Sequence, residues 1–147
     1  MLLSRSCEYG IRAVLYLAIQ PPGRFVLIRE MSDRLGISFH FLAKILQTLV
    51  KAKLLNSQKG RGGGFALAKP ADQMTLLNVV ETIDGPDITT RCMIGLPGCS
   101  DDNPCPLHEY WGQIRAEIVQ MLKGNSIADL ARLSSEKHLK LADSEIL

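Results

Sequence analysis

Apolar residues near the start of the chain recur at helical spacing. Cys7, Ile11, Val14, Leu15 and Ala18 fall at i, i+4, i+7, i+8 and i+11, which predicts an amphipathic helix ended by Pro21, Pro22 and Gly23. This pattern makes Cys7 a core residue, and it sets Glu8 and Arg12 four apart on another face as a surface ion pair worth roughly 0.2–0.5 kcal/mol. Ile28, Met31 and Leu35 mark a short second helix closed by Gly36, and Ser38 is placed to cap a third. Two helices joined by so tight a turn read as a helix-turn-helix. The third helix has Phe39, Leu42, Ile45, Leu46 and Leu49 on its apolar stripe, leaving His40, Ala43, Lys44, Gln47, Thr48 and Lys51 on the opposite face. Such a polar, basic stripe is what a major-groove helix presents, and it is also what an ordinary solvated face looks like.

The period then changes. "LLNSQKGRGGGFALAK" holds two short strand-like runs around a tip at residues 59–64, which predicts a hairpin. Glycines at the tip permit positive φ and close approach to another surface, while Lys59 and Arg61 supply cations. The run is no nucleotide loop, since Gly-x-Gly-x-x-Gly fails at Phe65 and no Gly-Lys-Ser or Gly-Lys-Thr follows. Directly after a helix-turn-helix it reads as a wing whose cations reach phosphates or a narrow minor groove. Helical spacing returns in "TLLNVVETIDG", capped by Thr75, with Leu76, Val79, Val80 and Ile83 on one side and Gly85 at its end. Leu107, Trp111, Ile114, Ile118 and Met121 then form a heptad-like seam running to Gly124. That seam suits a partner subunit or its own domain equally. Ser126 caps a last short helix, "SIADLARL", and the polar stretch beyond Ser134 is expected to be loose.

Charge separates the chain into two parts. Net charge is only +2 over 147 residues, but residues 1–70 carry eleven Lys or Arg against three acids, and residues 71–147 carry six against twelve. The halves are therefore +8 and −6, which points the front half toward a polyanion. With 46% hydrophobic residues the chain can bury a core without disulfide staples. Arg5, Glu8 and Arg12 interrupt the apolar N-terminus, so no signal or membrane segment is expected and the protein is read as cytoplasmic, with reduced thiols.

In that compartment the segment "CMIGLPGCSDDNPCPLH" is conspicuous. Cys92, Cys99 and Cys105 are separated by six and then five residues, and His108 stands three beyond the last. Three thiolates and an imidazole satisfy zinc, yet structural zinc sites usually use short Cys-x-x-Cys knuckles. A larger iron-sulfur cluster can be held from a longer loop, and idle or reactive thiols are the plain alternative. Spacing leaves all three open.

Taken together, "SRSCEYGIRAVLYLA", "GISFHFLAKILQTLVKAKLL", "KGRGGGFALAKP" and "TRCMIGLPGCSDDNPCPLHEYW" resemble the winged-helix transcription regulators of the IscR and NsrR type. The resemblance covers nearly the whole chain. It implies a cytoplasmic bacterial homodimer that binds a double-stranded DNA operator and carries an iron-sulfur cluster, 2Fe-2S or 4Fe-4S, whose presence, oxidation or nitrosylation changes operator affinity. By position it makes Cys92, Cys99 and Cys105 the cluster ligands. His108 matches the fourth ligand of the biogenesis regulators; Glu8, acting from the other subunit, matches that of an NsrR member. This sequence departs from the pattern in three places: the first cysteine gap is six residues where five is frequent, Ala43 replaces a base-reading glutamate, and Arg61 replaces a wing proline.

The expectation is a mainly α fold: a winged helix-turn-helix with a small β-hairpin wing and a long C-terminal dimerisation helix. Residues 1–84 form the DNA-binding region, 85–106 the cysteine-rich loop, 107–133 the dimerisation helix and a short helix, and 134–147 a tail. Ser38, His40, Lys44, Gln47, Lys59 and Arg61 are the expected DNA contacts. No catalytic constellation is visible, so an enzyme is not expected. The alternatives are a cluster-free or zinc-containing regulator, an architectural DNA-binding protein with an inert metal, and an iron-sulfur redox protein or cluster carrier, which would leave the +8 front half without a task.

Overall fold

A computed structural model describes residues 2–138 and 140–142; residue 139 and residues 143–147 of the expected tail lie outside them. The elements run α1 Arg5–Ala18, α2 Ile28–Leu35, α3 Phe39–Lys51, β1 Leu55–Gln58, β2 Gly64–Leu67, a 3-10 turn Ala71–Gln73, α4 Leu76–Asp84, α5 Asp87–Thr90, α6 His108–Gly124 and α7 Ile127–Glu136. Local chemistry sets most of the boundaries. Ser4, Ser38, Thr75 and Ser126 each accept a backbone N–H from the first turn of the following helix. At Thr75 the cap is reciprocal, because the Asn78 side chain accepts from the Thr75 N–H. Gly36 ends α2 in the left-handed conformation at φ 66, which only glycine adopts without cost.

The core is built where the apolar periodicities meet. Val14, Met31, Leu35, Leu42, Leu46, Leu49 and Leu55 are at most 2% exposed and join α1, α2, α3 and β1 in one cluster. The hairpin pairs Leu55 with Leu67 and Gln58 with Gly64 in antiparallel register. It is stitched to the segment before α2 by reciprocal backbone bonds between Val26 and Phe65, each 2.8 Å. Gly64 lies under that junction, where a Cβ would run into the Val26 carbonyl. A second, smaller cluster of Cys7, Leu77, Val80 and Leu122 ties α1 and α4 to α6.

Four expectations change on folding. Phe39 is not buried: it is 40% exposed, because a side chain in the first turn of a helix leans toward the N-terminus, past the edge of the core. Glu8 pairs with Arg5 at 3.8 Å rather than with Arg12. Arg12 instead lies over the Tyr9 ring, 4.7 Å from its centroid, and reaches the Leu141 carbonyl at 3.5 Å. Leu141 and Ala142, in the stretch expected to be loose, are buried, Leu141 in the main core cluster. Lastly α7, grouped with α6 by its place in the chain, returns to the front lobe: Ile127 is fully buried in the main core and its N–H donates to the Met74 carbonyl at 2.7 Å. No helix among the described residues is long and apolar enough to cross a membrane.

Candidate metal centre and nucleic-acid face

The cysteine segment has almost no core of its own. Met93, Ile94 and Leu96 are 59%, 52% and 48% exposed, and the loop is shaped by short backbone turns: Gly95 to Cys92, Cys99 to Leu96, and a reciprocal pair between Ser100 and Asn103. Its two ends are held by α5 and α6. The Trp111 indole N–H donates to the Arg91 carbonyl at 2.9 Å, and the Arg115 guanidinium donates to the carbonyls of Thr90 and Arg91 at 3.3 and 3.2 Å. Trp111, a member of the heptad-like seam, is thus turned partly inward to hold the segment entering Cys92.

Three sulfurs converge within this frame. Cys92, Cys99 and Cys105 bring their Sγ atoms within 4.8 Å of one another. Cys92 and Cys105 are 3.7 Å apart, and His108 adjoins the group through Nδ1, 3.1 Å from the Cys99 sulfur. The other ring nitrogen of His108 meets Asp101 Oδ1 at 2.8 Å, the carboxylate partner that orients many metal-binding imidazoles. Together with Trp111 and Arg115 these side chains border a cavity of about 230 Å³. Glu8 of the same chain stands elsewhere, against Arg5.

Electrostatics distinguishes the thiols. The Leu96 backbone N–H, joined by Ile94 and the neighbouring thiols, holds Cys92 down at about 7. Cys99 is moved the other way: the Cys105 backbone N–H stabilises its thiolate, but desolvation and the two nearby sulfurs outweigh it and raise the thiol. Cys7, fully buried and close to Asp84, is pushed up to about 12, so it behaves as a small apolar core residue. Soft donors in a compact, water-accessible pocket fit either a thiolate-bound cluster or a single thiophilic ion.

The residues expected to contact DNA lie on α3 and the wing. Ser38, His40, Lys44, Gln47, Lys59 and Arg61 are all exposed, the first four on or capping α3 and the last two at the wing tip. Thr48, also on the polar side of α3, is exposed, and its hydroxyl donates back to the Lys44 carbonyl at 3.1 Å. Arg29, absent from the expected set, lies beside Phe39 at the start of α3.

A winged helix-turn-helix joined to a three-cysteine loop invites comparison with known regulators. The profile of the Rrf2 family, described as an iron-dependent transcriptional regulator, matches residues 3–133. The chain belongs to the Rrf2 family. An HTH-type transcriptional regulator of Aquifex aeolicus is 34% identical over 141 residues, 95% of this chain and 96% of that protein. The HTH-type transcriptional regulator IscR of Sodalis glossinidius is 30% identical over 99% of this chain and 86% of its own length. Among solved structures, CymR, the global cysteine regulator of B. subtilis, superimposes with a TM-score of 0.75 at 23% identity, covering 89% of this chain and 96% of that one. IscR of T. potens gives the same score at 21% identity, covering 94% and 91%. At that identity the two structures establish the winged-helix fold. This Rrf2 protein is accordingly a transcriptional regulator with a DNA-binding fold, and its relatives are regulators, not enzymes.

Proposed function

We propose that this protein is a homodimeric, iron-sulfur-sensing regulator that binds an operator duplex. The observation that carries the sensing part is the convergence of three thiols and one imidazole at the foot of α6, on a loop with little packing of its own. Cys92, Cys99 and Cys105 hold the cluster, 2Fe-2S or 4Fe-4S, and His108 completes the set through Nδ1 because Nε2 is engaged by Asp101; Glu8 of the partner subunit is the alternative fourth ligand. Bound, the cluster supplies a group sensitive to oxidation and to nitric oxide. What the chain contributes is a transmission path. Trp111 and Arg115 grip the loop entrance from α6, so reordering of residues 92–105 pulls on that helix.

The dimer reading is supported by the rest of α6. Leu107, Tyr110, Ile114 and Met121 are 41%, 71%, 53% and 50% exposed, an apolar face left open among the described residues. Pairing two such helices would set His40, Lys44 and Gln47 of each subunit into successive major grooves, roughly 34 Å apart. Ser38 and the wing cations Lys59 and Arg61 then engage the flanking backbone or minor groove. On this reading residues 1–84 grip DNA, 85–106 sense, and 107–133 join the subunits while returning α7 to the front lobe.

A second reading, a zinc-containing regulator, draws on one distance. The 3.7 Å between Cys92 and Cys105 is close to the edge of a tetrahedron with ~2.3 Å metal–sulfur bonds, about 3.8 Å. Anaerobic purification separates the two. Brown protein with iron and sulfide, both lost in Cys92→Ala, Cys99→Ala or Cys105→Ala, supports the cluster; colourless protein with one zinc per chain overturns it. Operator binding is tested by salt titration, where Lys44→Ala or Arg61→Ala should each flatten the slope by about 0.9 per lost phosphate contact. Affinity independent of salt in the unaltered protein would remove the DNA reading.

A further inference from the structure

Phe39 stands apart from its neighbours on the nucleic-acid face. It is the first residue of α3 and 40% exposed, on a helix whose apolar side has a full core to pack against. Its ring is flanked on two sides. The Arg29 guanidinium lies 6.0 Å from the ring centroid, and the His40 ring meets it edge-on with centroids 5.6 Å apart. Arg29 comes from the first turn of α2 and His40 is the next residue in α3, so an apolar surface is held between two groups that donate hydrogen bonds. A single exposed aromatic elsewhere on a protein needs no explanation. This one occupies the end of the second helix of a helix-turn-helix from which such helices touch base edges. The major groove offers one apolar feature there, the thymine C5-methyl group.

We infer that Phe39 is a specificity residue, packing its ring on the C5-methyl of one thymine in each half-site. Arg29 steadies the ring and reaches the neighbouring phosphate, and His40 addresses the adjoining base edge. The inference rests on the DNA-binding reading above and sharpens it. It also gives a use to the one residue of the third helix's apolar stripe that folding leaves in water.

The test separates the two ideas. Anaerobically purified full-length protein selects binding duplexes from a random pool, and the enriched site is remade with deoxyuridine replacing one symmetry-related pair of thymines at a time. This removes a methyl group and leaves every hydrogen-bonding edge in place. One pair should weaken binding by roughly four-fold per methyl, while Phe39→Ala should bind the thymine and uracil duplexes equally and enrich a site degenerate at that position. The readout is a ratio within one protein, so a general loss of affinity does not imitate it. If Phe39→Ala binds neither duplex, the ratio is read in Phe39→Leu, where it must change. A wild-type protein indifferent to uracil at every thymine, or a ratio unchanged in the variants, overturns the inference and leaves DNA binding standing. Failure of the wild-type protein to enrich any sequence overturns both.

Discussion

The front lobe and the cysteine loop are built by opposite means. In the lobe, α1, α2, α3 and the hairpin bury side chains such as Leu42, Leu46 and Leu49 completely, and each helix presents its polar face by default once its apolar face is committed. In the loop the functional atoms come first: three thiols gather within 4.8 Å while Met93, Ile94 and Leu96 remain in water. A rigid core makes a good ruler for DNA, since base contacts tolerate little error in placement. A weakly packed loop makes a good sensor, since its geometry can be changed by a ligand worth only a few kcal/mol. What joins them is narrow: the Trp111 and Arg115 hydrogen bonds to the loop entrance, and the small cluster linking Leu122 of α6 to α1 and α4.

The widest gap between the two regions is in stability. Leu46→Ala should destabilise the metal-free protein by about 2–5 kcal/mol, read by denaturant unfolding. Gly98→Ala in the loop should stay within about 0.5 kcal/mol, because nothing lies within 4 Å of where its Cβ would be. Equal losses at both positions would erase the distinction. Of intermediate size is Ser38→Ala, which removes the cap on α3 and should cost about 1 kcal/mol in the same measurement. Trp111→Phe keeps an aromatic ring, though a smaller one, and deletes the bond to the Arg91 carbonyl; it should cost about 1 kcal/mol in unfolding, yet speed thiol alkylation of the metal-free loop. An unfolding change with no effect on alkylation would show that Trp111 does not restrain the loop.

The smallest effect is one of pH. Cys92 is held at about 7, so its thiolate fraction grows as pH rises through that value, and iodoacetamide labelling of metal-free protein should climb between about pH 6 and 8 and then level off. Cys7, pushed up to about 12 and fully buried, should remain unlabelled until the protein unfolds. Mass spectrometry of the labelled peptides distinguishes the two, and early labelling of Cys7 would contradict the core described here.

Wherever an element is defined by neighbours in the chain, the amino-acid string already contains it. Caps at Ser38, Thr75 and Ser126, the left-handed stop at Gly36, the wing and the long sixth helix all follow from spacings of a few residues. The three cysteines and His108 were legible too, because a family pattern marks them and their loop is short. Other features depend on residues far apart in the chain. The string does not reveal that Asp101, one of two adjacent acids, meets His108, that Arg12 turns to Tyr9 and the Leu141 carbonyl, or that α7 folds back onto Met74. Phe39 shows the limit most clearly. Periodicity assigns a residue to the side of a helix, but whether that side is covered depends on where the neighbouring helix ends, and only packing in three dimensions settles that.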